Sequence, residues 1–368
     1  MLHPHRTATA LAGLAAAAAI ATAHRSAIAP SSIRPAAPAE RAAQQQTGRW
    51  HTGQPLPVPL AEIAGATLGQ SIYTGGGFTP PGGSVGRWFG RYDTTDDAWA
   101  PLAELPVAVH HPMMAAADAR VWLAGGYTGR LQVAEATRRL DAYDPATDAW
   151  TPMPDMPGRR AAGFLVALGQ RLYVVGGIGD APDRMWVFDI ASNAWSDAPG
   201  PTPREHLGAA ASGGRIYVVA GRGYGRGNVG LLEAFDPATG TWESLPDMPG
   251  VCGGCSAAAT SDGRIHVTGG EGGGQTYGDH FVYDPASRAW HVAEPMPSTR
   301  HGIAAAAVGE RFYVIGGGLQ QGLDYSTLVE WWAPDDVATP IEPTREPAIE
   351  PTQGIAGFRL LLPATQTR

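Results

Sequence analysis

Charge is scarce in this sequence. Only 16% of its 368 residues are Asp, Glu, Lys or Arg, and they leave a formal net charge of −8 and a pI near 5.7. A nucleic-acid binder needs a basic face, and this balance excludes one. Long apolar runs are missing too: beyond the N-terminus no stretch of about 18 apolar residues occurs, so no transmembrane span is expected in the body. Cysteine is limited to Cys252 and Cys255. The sequence also lacks a phosphate loop, a Gly-x-Ser-x-Gly nucleophile elbow and a His-Glu-x-x-His zinc motif. What it holds instead is 49 Gly, 32 Pro and 11 Trp. Gly and Pro punctuate short segments, and Trp fills wide gaps between packed elements.

The two ends differ from the middle. His3, His5 and Arg6 precede an Ala-rich run from Ala8 that closes on Ala21-Thr22-Ala23, a small-x-small cleavage pattern. Residues 1–23 therefore read as a secretory signal peptide, with an Ala-rich tail or an organellar transit peptide as alternatives. The exported protein would be secreted, periplasmic or on the cell surface. Residues 24–47 are rich in Ala, Pro, Ser and Gln and read as a flexible linker. Residues 335–368, with Glu342-Pro343 and Glu350-Pro351, read as a disordered tail.

Between the ends lies a repeat, which decides the fold. A Gly pair follows an apolar run at Gly75-Gly76, Gly125-Gly126, Gly176-Gly177, Gly269-Gly270 and Gly316-Gly317, with a degenerate copy at Ala220-Gly221. A second marker keeps step with it. An aromatic-Asp pair precedes Trp by six residues in Asp93…Trp99, Asp144…Trp150, Asp189…Trp195, Asp236…Trp242 and Asp284…Trp290. Turns such as Asp144-Pro145-Ala146-Thr147 suit type I geometry, so these Asp residues are read as turn formers. Each unit predicts four antiparallel strands, a to d: small and apolar, β-branched up to the Gly pair, closing on aromatic-Asp, then opening on Trp.

The double Gly, the aromatic before the turn and the Trp six residues after Asp resemble the Kelch repeat family, from about Trp50 to Pro334. The resemblance implies an all-β fold: a six-bladed Kelch β-propeller over residues 48–334. The sixth unit lacks its Trp-initiated strand, and an orphan one, Trp50-His51-Thr52, stands at the other end of the body. That strand is expected to close the last blade.

Topology then selects one face. The a–b and c–d turns are short, whereas most b–c loops are long, and they share a face with the d–a connections. Those segments supply the candidate ligand-binding rim: His110, His111, Tyr127, Arg160, Arg204, His206, Arg222, Glu271, Arg300 and His301. Each Arg could equally pair with an Asp or a backbone carbonyl, and each His could be buried or solvated without a ligand. As a rim, Arg and His suit an anionic or hydroxyl-rich ligand. Cys252 and Cys255 read as a small-loop disulfide, with free thiols or a metal or redox pair as alternatives. No metal and no cofactor is expected, and a monomer is.

The leading functional reading is an exported, non-catalytic module that binds a protein or glycan ligand through the b–c/d–a face. The alternative is a carbohydrate-acting enzyme. Sialic-acid mutarotase resembles the architecture. Galactose oxidase does so less well, because its Tyr–Cys copper site maps onto neither cysteine.

Overall fold

The computed structural model describes residues 45–129 and 133–335. The leader, most of the linker and the tail from residue 336 lie outside the described residues. Among these, one short 3₁₀ turn, Val133–Glu135, accompanies the strands, and no helix is long and apolar enough to cross a membrane.

Six four-stranded antiparallel units form in chain order, each running from an inner strand outwards. The inner strands are Ala64–Leu68, Met113–Ala117, Phe164–Leu168, Gly208–Ser212, Gly253–Ala259 and Ala304–Val308. Their side chains are small because six strands converge there: a Cβ on Gly65 would lie 3.1 Å from that of Ala304. Five outer strands begin within a residue of Trp: Ala98–Pro101, Ala149–Pro152, Ala194–Pro199, Thr241–Leu245 and Ala289–Ala293. Blade 6 takes its outer strand, Gly48–Thr52, from the other end of the body. Trp50 stands opposite Trp332 there, as Trp150 stands opposite Tyr143 in blade 2. Gln45–Gln46, read from sequence as linker, pair in parallel with Val292 and Ala293 and extend blade 5.

The core lies between blades. Met113, Trp122, Leu172 and Trp186 join blades 2 and 3, while Ile72, Tyr92, Tyr313 and Trp331 join blades 6 and 1. Burying one such aliphatic side chain stabilises by roughly 1.5–3 kcal/mol. The repeat's markers add hydrogen bonds across the same seams. Each Trp indole N–H donates to a carbonyl of the preceding blade: Trp99 to Gln54 (2.9 Å), Trp150 to Ala103 (3.1 Å), Trp195 to Pro154 (2.9 Å), Trp242 to Pro199 (2.8 Å), Trp290 to Pro246 (2.8 Å) and Trp50 to Glu294 (2.7 Å).

The second glycine of each pair performs the matching task nearer the axis. Its N–H donates to the connection that enters the next blade, as Gly126 does to Arg160 (2.9 Å) and Gly317 to Leu60 (2.8 Å). The residue must be glycine. Gly177 has φ 85°, and a Cβ there would stand 2.6 Å from the Ala161 carbonyl oxygen. Blade 4 can replace the first glycine by Ala220 at φ 55° but keeps Gly221 at φ 100°. In blade 1 the left-handed pair is Gly76–Gly77, one residue later than the sequence reading places it. The repeat's Asp residues sit in turns and accept backbone N–H bonds, Asp144 from Ala146 (2.9 Å) and Asp236 from Ala238 (2.8 Å).

Two histidines belong to this framework. His266 and His280 are buried between blades 5 and 6 among Trp50, Phe312 and Trp332, with His266 Nδ1 2.9 Å from His280 Nε2. Burial, and to a lesser extent Arg264, pushes His266 down to about 3; burial and then His266 push His280 well below its ordinary range. Both stay neutral in the fold, while the unfolded chain takes up protons below about pH 6.5. Their contribution to stability is therefore present above about pH 6.5 and lost as pH falls towards 3. For His266 the loss should reach roughly 2 kcal/mol by pH 5. Urea unfolding at pH 7 and pH 5 measures it. A His266→Leu/His280→Leu variant should show a shallower loss, and an unchanged pH slope would refute the assignment.

Candidate functional site

The mouth of the central channel repeats one backbone device six times. Glu62, His111, Ala162, His206 and Gly302 stand just before the inner strands and Gly254 at the start of one, all with positive φ between 52° and 76°. Each N–H donates to the carbonyl of its counterpart in the preceding blade: His111 to Glu62 (2.9 Å), Ala162 to His111 (3.1 Å), His206 to Ala162 (2.8 Å), Gly254 to His206 (2.9 Å), Gly302 to Gly254 (3.0 Å) and Glu62 to Gly302 (2.7 Å). This circuit is the rim of the channel cavity. Three of its positions carry functional side chains: Glu62, His111 and His206.

The residues one step earlier form a second tier. Each pairs across its blade with the residue that follows the Gly pair: Ala61 with Phe78, His110 with Tyr127, Ala161 with Ile178, Glu205 with Arg222, Gly253 with Glu271 and His301 with Gly318. His110, Glu205, Arg222, Glu271 and His301 thereby surround the same mouth.

Glu62 is the hub. Its carboxylate lies 3.0 Å from His111 Nε2 and 3.2 Å from His301 Nδ1. Burial alone would raise its pKa, but His111 and His301 hold it well below the carboxylate range. His301 moves the other way from what burial dictates: Glu62, then Glu271, raise it. His301 Nε2 meets the Gln320 carbonyl at 3.0 Å. His206 is driven well below its ordinary value by burial and by His111, and its Nδ1 faces the Glu205 carboxylate. His110 is stacked between Phe78 (4.1 Å) and Tyr127 (5.2 Å) and pushed down to about 4 by burial, then by His111. Its Nδ1 is 2.6 Å from His111 Nδ1, and its Nε2 is 2.7 Å from the Gly129 carbonyl oxygen. Tyr127 is fully buried behind them, its hydroxyl pushed up to about 12 by burial. Arg222 pairs with Glu271, whose other oxygen accepts the Gly322 N–H at 2.8 Å.

Seven of the ten candidate rim residues thus gather at the mouth: His110, His111, Tyr127, His206, Arg222, Glu271 and His301. Arg160, Arg204 and Arg300 do not. They stand two residues before the circuit positions, are fully buried, and turn into their own blades. Arg160 donates to the Gly176 (2.6 Å) and Asp180 (2.8 Å) carbonyls and lies 4.3 Å over Trp186. Arg204 donates to the Ala220 (2.8 Å) and Val218 (2.9 Å) carbonyls and pairs with Glu233. Arg300 donates to the Gly316 carbonyl (2.7 Å) and pairs with Glu330 (2.7 Å). In blade 5 the same slot holds Cys252, joined to Cys255 as a disulfide.

Comparison with known proteins agrees with the six-unit architecture. Residues 155–317 match the KLHDC2/KLHL20/DRC7 Kelch-repeats domain, and residues 114–157 match the Kelch motif. The chain belongs to the Kelch repeat family. Kelch-like protein terF of Aspergillus terreus is 27% identical over 251 residues, 62% of this chain and 55% of that protein. Kelch-like protein 38 of Rattus norvegicus is 27% identical over 206 residues, 55% of this chain and 34% of that protein. The chain thus spans between a third and just over half of these Kelch relatives. Among solved structures, YjhT shares the fold at a TM-score of 0.64 with 17% identity, covering 75% of this chain and 95% of that one.

The residue at the centre of this Kelch site, Glu62, is absent from the sequence-based candidates. A signal for it exists. Glu62 precedes Gly76 by the same fourteen positions that separate His111 from Gly125 and His206 from Ala220.

Proposed function

We propose that this Kelch propeller is an exported binding module that receives a protein or glycan partner on the face formed by its b–c loops and d–a connections. The carrying observation is where exposed apolar area lies. Among the described residues, five large hydrophobic side chains are exposed: Tyr224, Val251, Leu319 and Leu323 stand on those loops and connections, and Val292 lies elsewhere. Surface apolar side chains are ordinary singly, but their concentration around a polar mouth suits a docking surface with a charged centre. An open depression of about 1000 Å³ beside the mouth, lined by Arg222, Asn228, Glu271, Tyr277 and Gln321, offers hydrogen-bond donors and acceptors for a hydroxyl-rich group. Export is supported by the leader pattern and by the disulfide, which persists in oxidising compartments.

The test is a binding screen against cell-surface proteins and a glycan array, repeated with Leu323→Glu/Tyr224→Glu. A partner on this face should be weakened at least tenfold, with melting temperature unchanged. Undiminished binding by the variant would move the partner elsewhere.

The second reading is a carbohydrate-acting enzyme. It is favoured by one feature, the half-buried Glu62 carboxylate among three imidazoles. Glu62→Gln should then abolish turnover of a sugar substrate while leaving partner binding intact.

A further inference from the structure

The donor set at the channel mouth has a property that neither partner docking nor sugar recognition requires. Ligand-capable atoms of Glu62, His111 and His206 all lie within 4.8 Å of one another. The hydrogen bonds behind the two imidazoles decide which of their nitrogens carry protons. The Gly129 carbonyl can only accept, so His110 Nε2 must carry the proton between them. His110 is enclosed by Phe78 and Tyr127, where a second proton would be a desolvated charge, so its Nδ1 keeps a lone pair. The 2.6 Å contact then requires a proton on His111 Nδ1. His111 Nε2, 3.0 Å from the Glu62 carboxylate, then meets it either through a proton, as an imidazolium–carboxylate pair, or through a metal ion. A divalent cation would take the place of that proton, with the neutral Nε2 and the carboxylate both turned towards it. His206 is arranged the same way: its Nδ1 faces the Glu205 carboxylate, leaving Nε2 as the free donor. His206 Nδ1 and Glu205 Oε2 are both buried and form no hydrogen bond of workable geometry.

We propose that Glu62, His111 and His206 bind one divalent transition cation of the zinc class at the channel mouth. Two imidazoles and one carboxylate are the donor set of three-ligand zinc sites that keep a coordination position open, and they disfavour Mg²⁺ and Ca²⁺. The open side is provided by the circuit itself, because Ala162, Gly254 and Gly302 put no donor opposite. His110 acts as a positioning residue that fixes the tautomer of His111. The site stands independently of what docks on the loop face.

The test uses the full chain in a His3→Ala/His5→Ala/His24→Ala background, which removes adventitious N-terminal donors. After chelator treatment, calorimetric titration with Zn²⁺ should give one equivalent per chain, and Co²⁺ should produce a visible absorption band. Mg²⁺ and Ca²⁺ should give neither binding nor a thermal shift. Glu62→Gln, which keeps size and backbone, should weaken Zn²⁺ at least tenfold, and His110→Leu by about 10–100-fold. His111→Gly/His206→Gly should lose the metal while keeping the fold by circular dichroism, because the backbone there already has the left-handed conformation that glycine adopts readily. Loss of the two largely buried imidazoles should nonetheless lower its melting temperature. Failure of the untouched site to take up Zn²⁺ or Co²⁺ overturns the proposal. So does stoichiometric binding that persists in Glu62→Gln and in the double glycine variant, or equal affinity for Mg²⁺.

Discussion

Replacing Arg300 by methionine is expected to destabilise the propeller by about 3–5 kcal/mol, the usual consequence of stripping one partner from a buried ion pair. The guanidinium is fully buried and donates to the carbonyls of Gly316 (2.7 Å), Leu328 (3.2 Å) and Ser298 (3.2 Å). Burial brings its pKa down to about 10, opposed by Glu330, so it is still charged at neutral pH. Without it, Glu330 would be a buried carboxylate with only the Ser298 hydroxyl (2.9 Å) against it. A lysine would not restore the fork that reaches several carbonyls at once, and the sequence in fact contains no lysine. Urea unfolding of Arg300→Met, Glu330→Gln and the double variant measures the effect. The double variant should recover part of the loss, since no charge is then left unpaired. A single-variant loss under about 1 kcal/mol would mean that the pair is solvated.

The second large effect concerns the strand that opens the body. Deleting residues 48–57 removes five residue pairs, from Gly48 opposite Pro334 to Thr52 opposite Glu330. It also removes the Trp50 indole from the seam of blades 5 and 6, and the Gln54 carbonyl that accepts Trp99. The remaining edge, Val329–Pro334, would expose backbone groups and the buried Trp332. Loss of the buried Leu56 and the half-buried Trp50 together costs about 3–5 kcal/mol or more. For a domain of this size that corresponds to a fall in melting temperature of at least about 5 °C. Deleting residues 336–368, which lie outside the described residues, should cost far less. Equal melting temperatures for the two truncations would refute this division of labour.

The fold was largely legible because its markers do local work. Trp242 and Trp290 recur where an indole must span a seam, and Gly177 or Gly221 where a side chain would strike a carbonyl. The site was legible only in part, because residue type does not report direction. Arg204 and His206 are two positions apart, yet the first turns into its blade and the second towards the channel. Strand alternation would place both on one face, but the left-handed residue at 206 breaks that alternation. Glu62 escaped for a simpler reason: it lies in Ala61-Glu62-Ile63, with no other polar residue beside it. His280 directly follows a Gly-rich b–c loop in the sequence, yet it packs between blades against Trp50.

The circuit of backbone hydrogen bonds at the mouth has an electrical consequence. Its six peptide dipoles point around the axis and not along it, so to first order they cancel at the centre. A helix terminus brings a fixed partial charge to whatever binds there, but this rim brings almost none. The local potential is then written by side chains alone, and Ala162, Gly254 and Gly302 are three blank places in that script. A carboxylate or imidazole introduced at residue 162 would alter the charge at the mouth while leaving the scaffold's own field as it was.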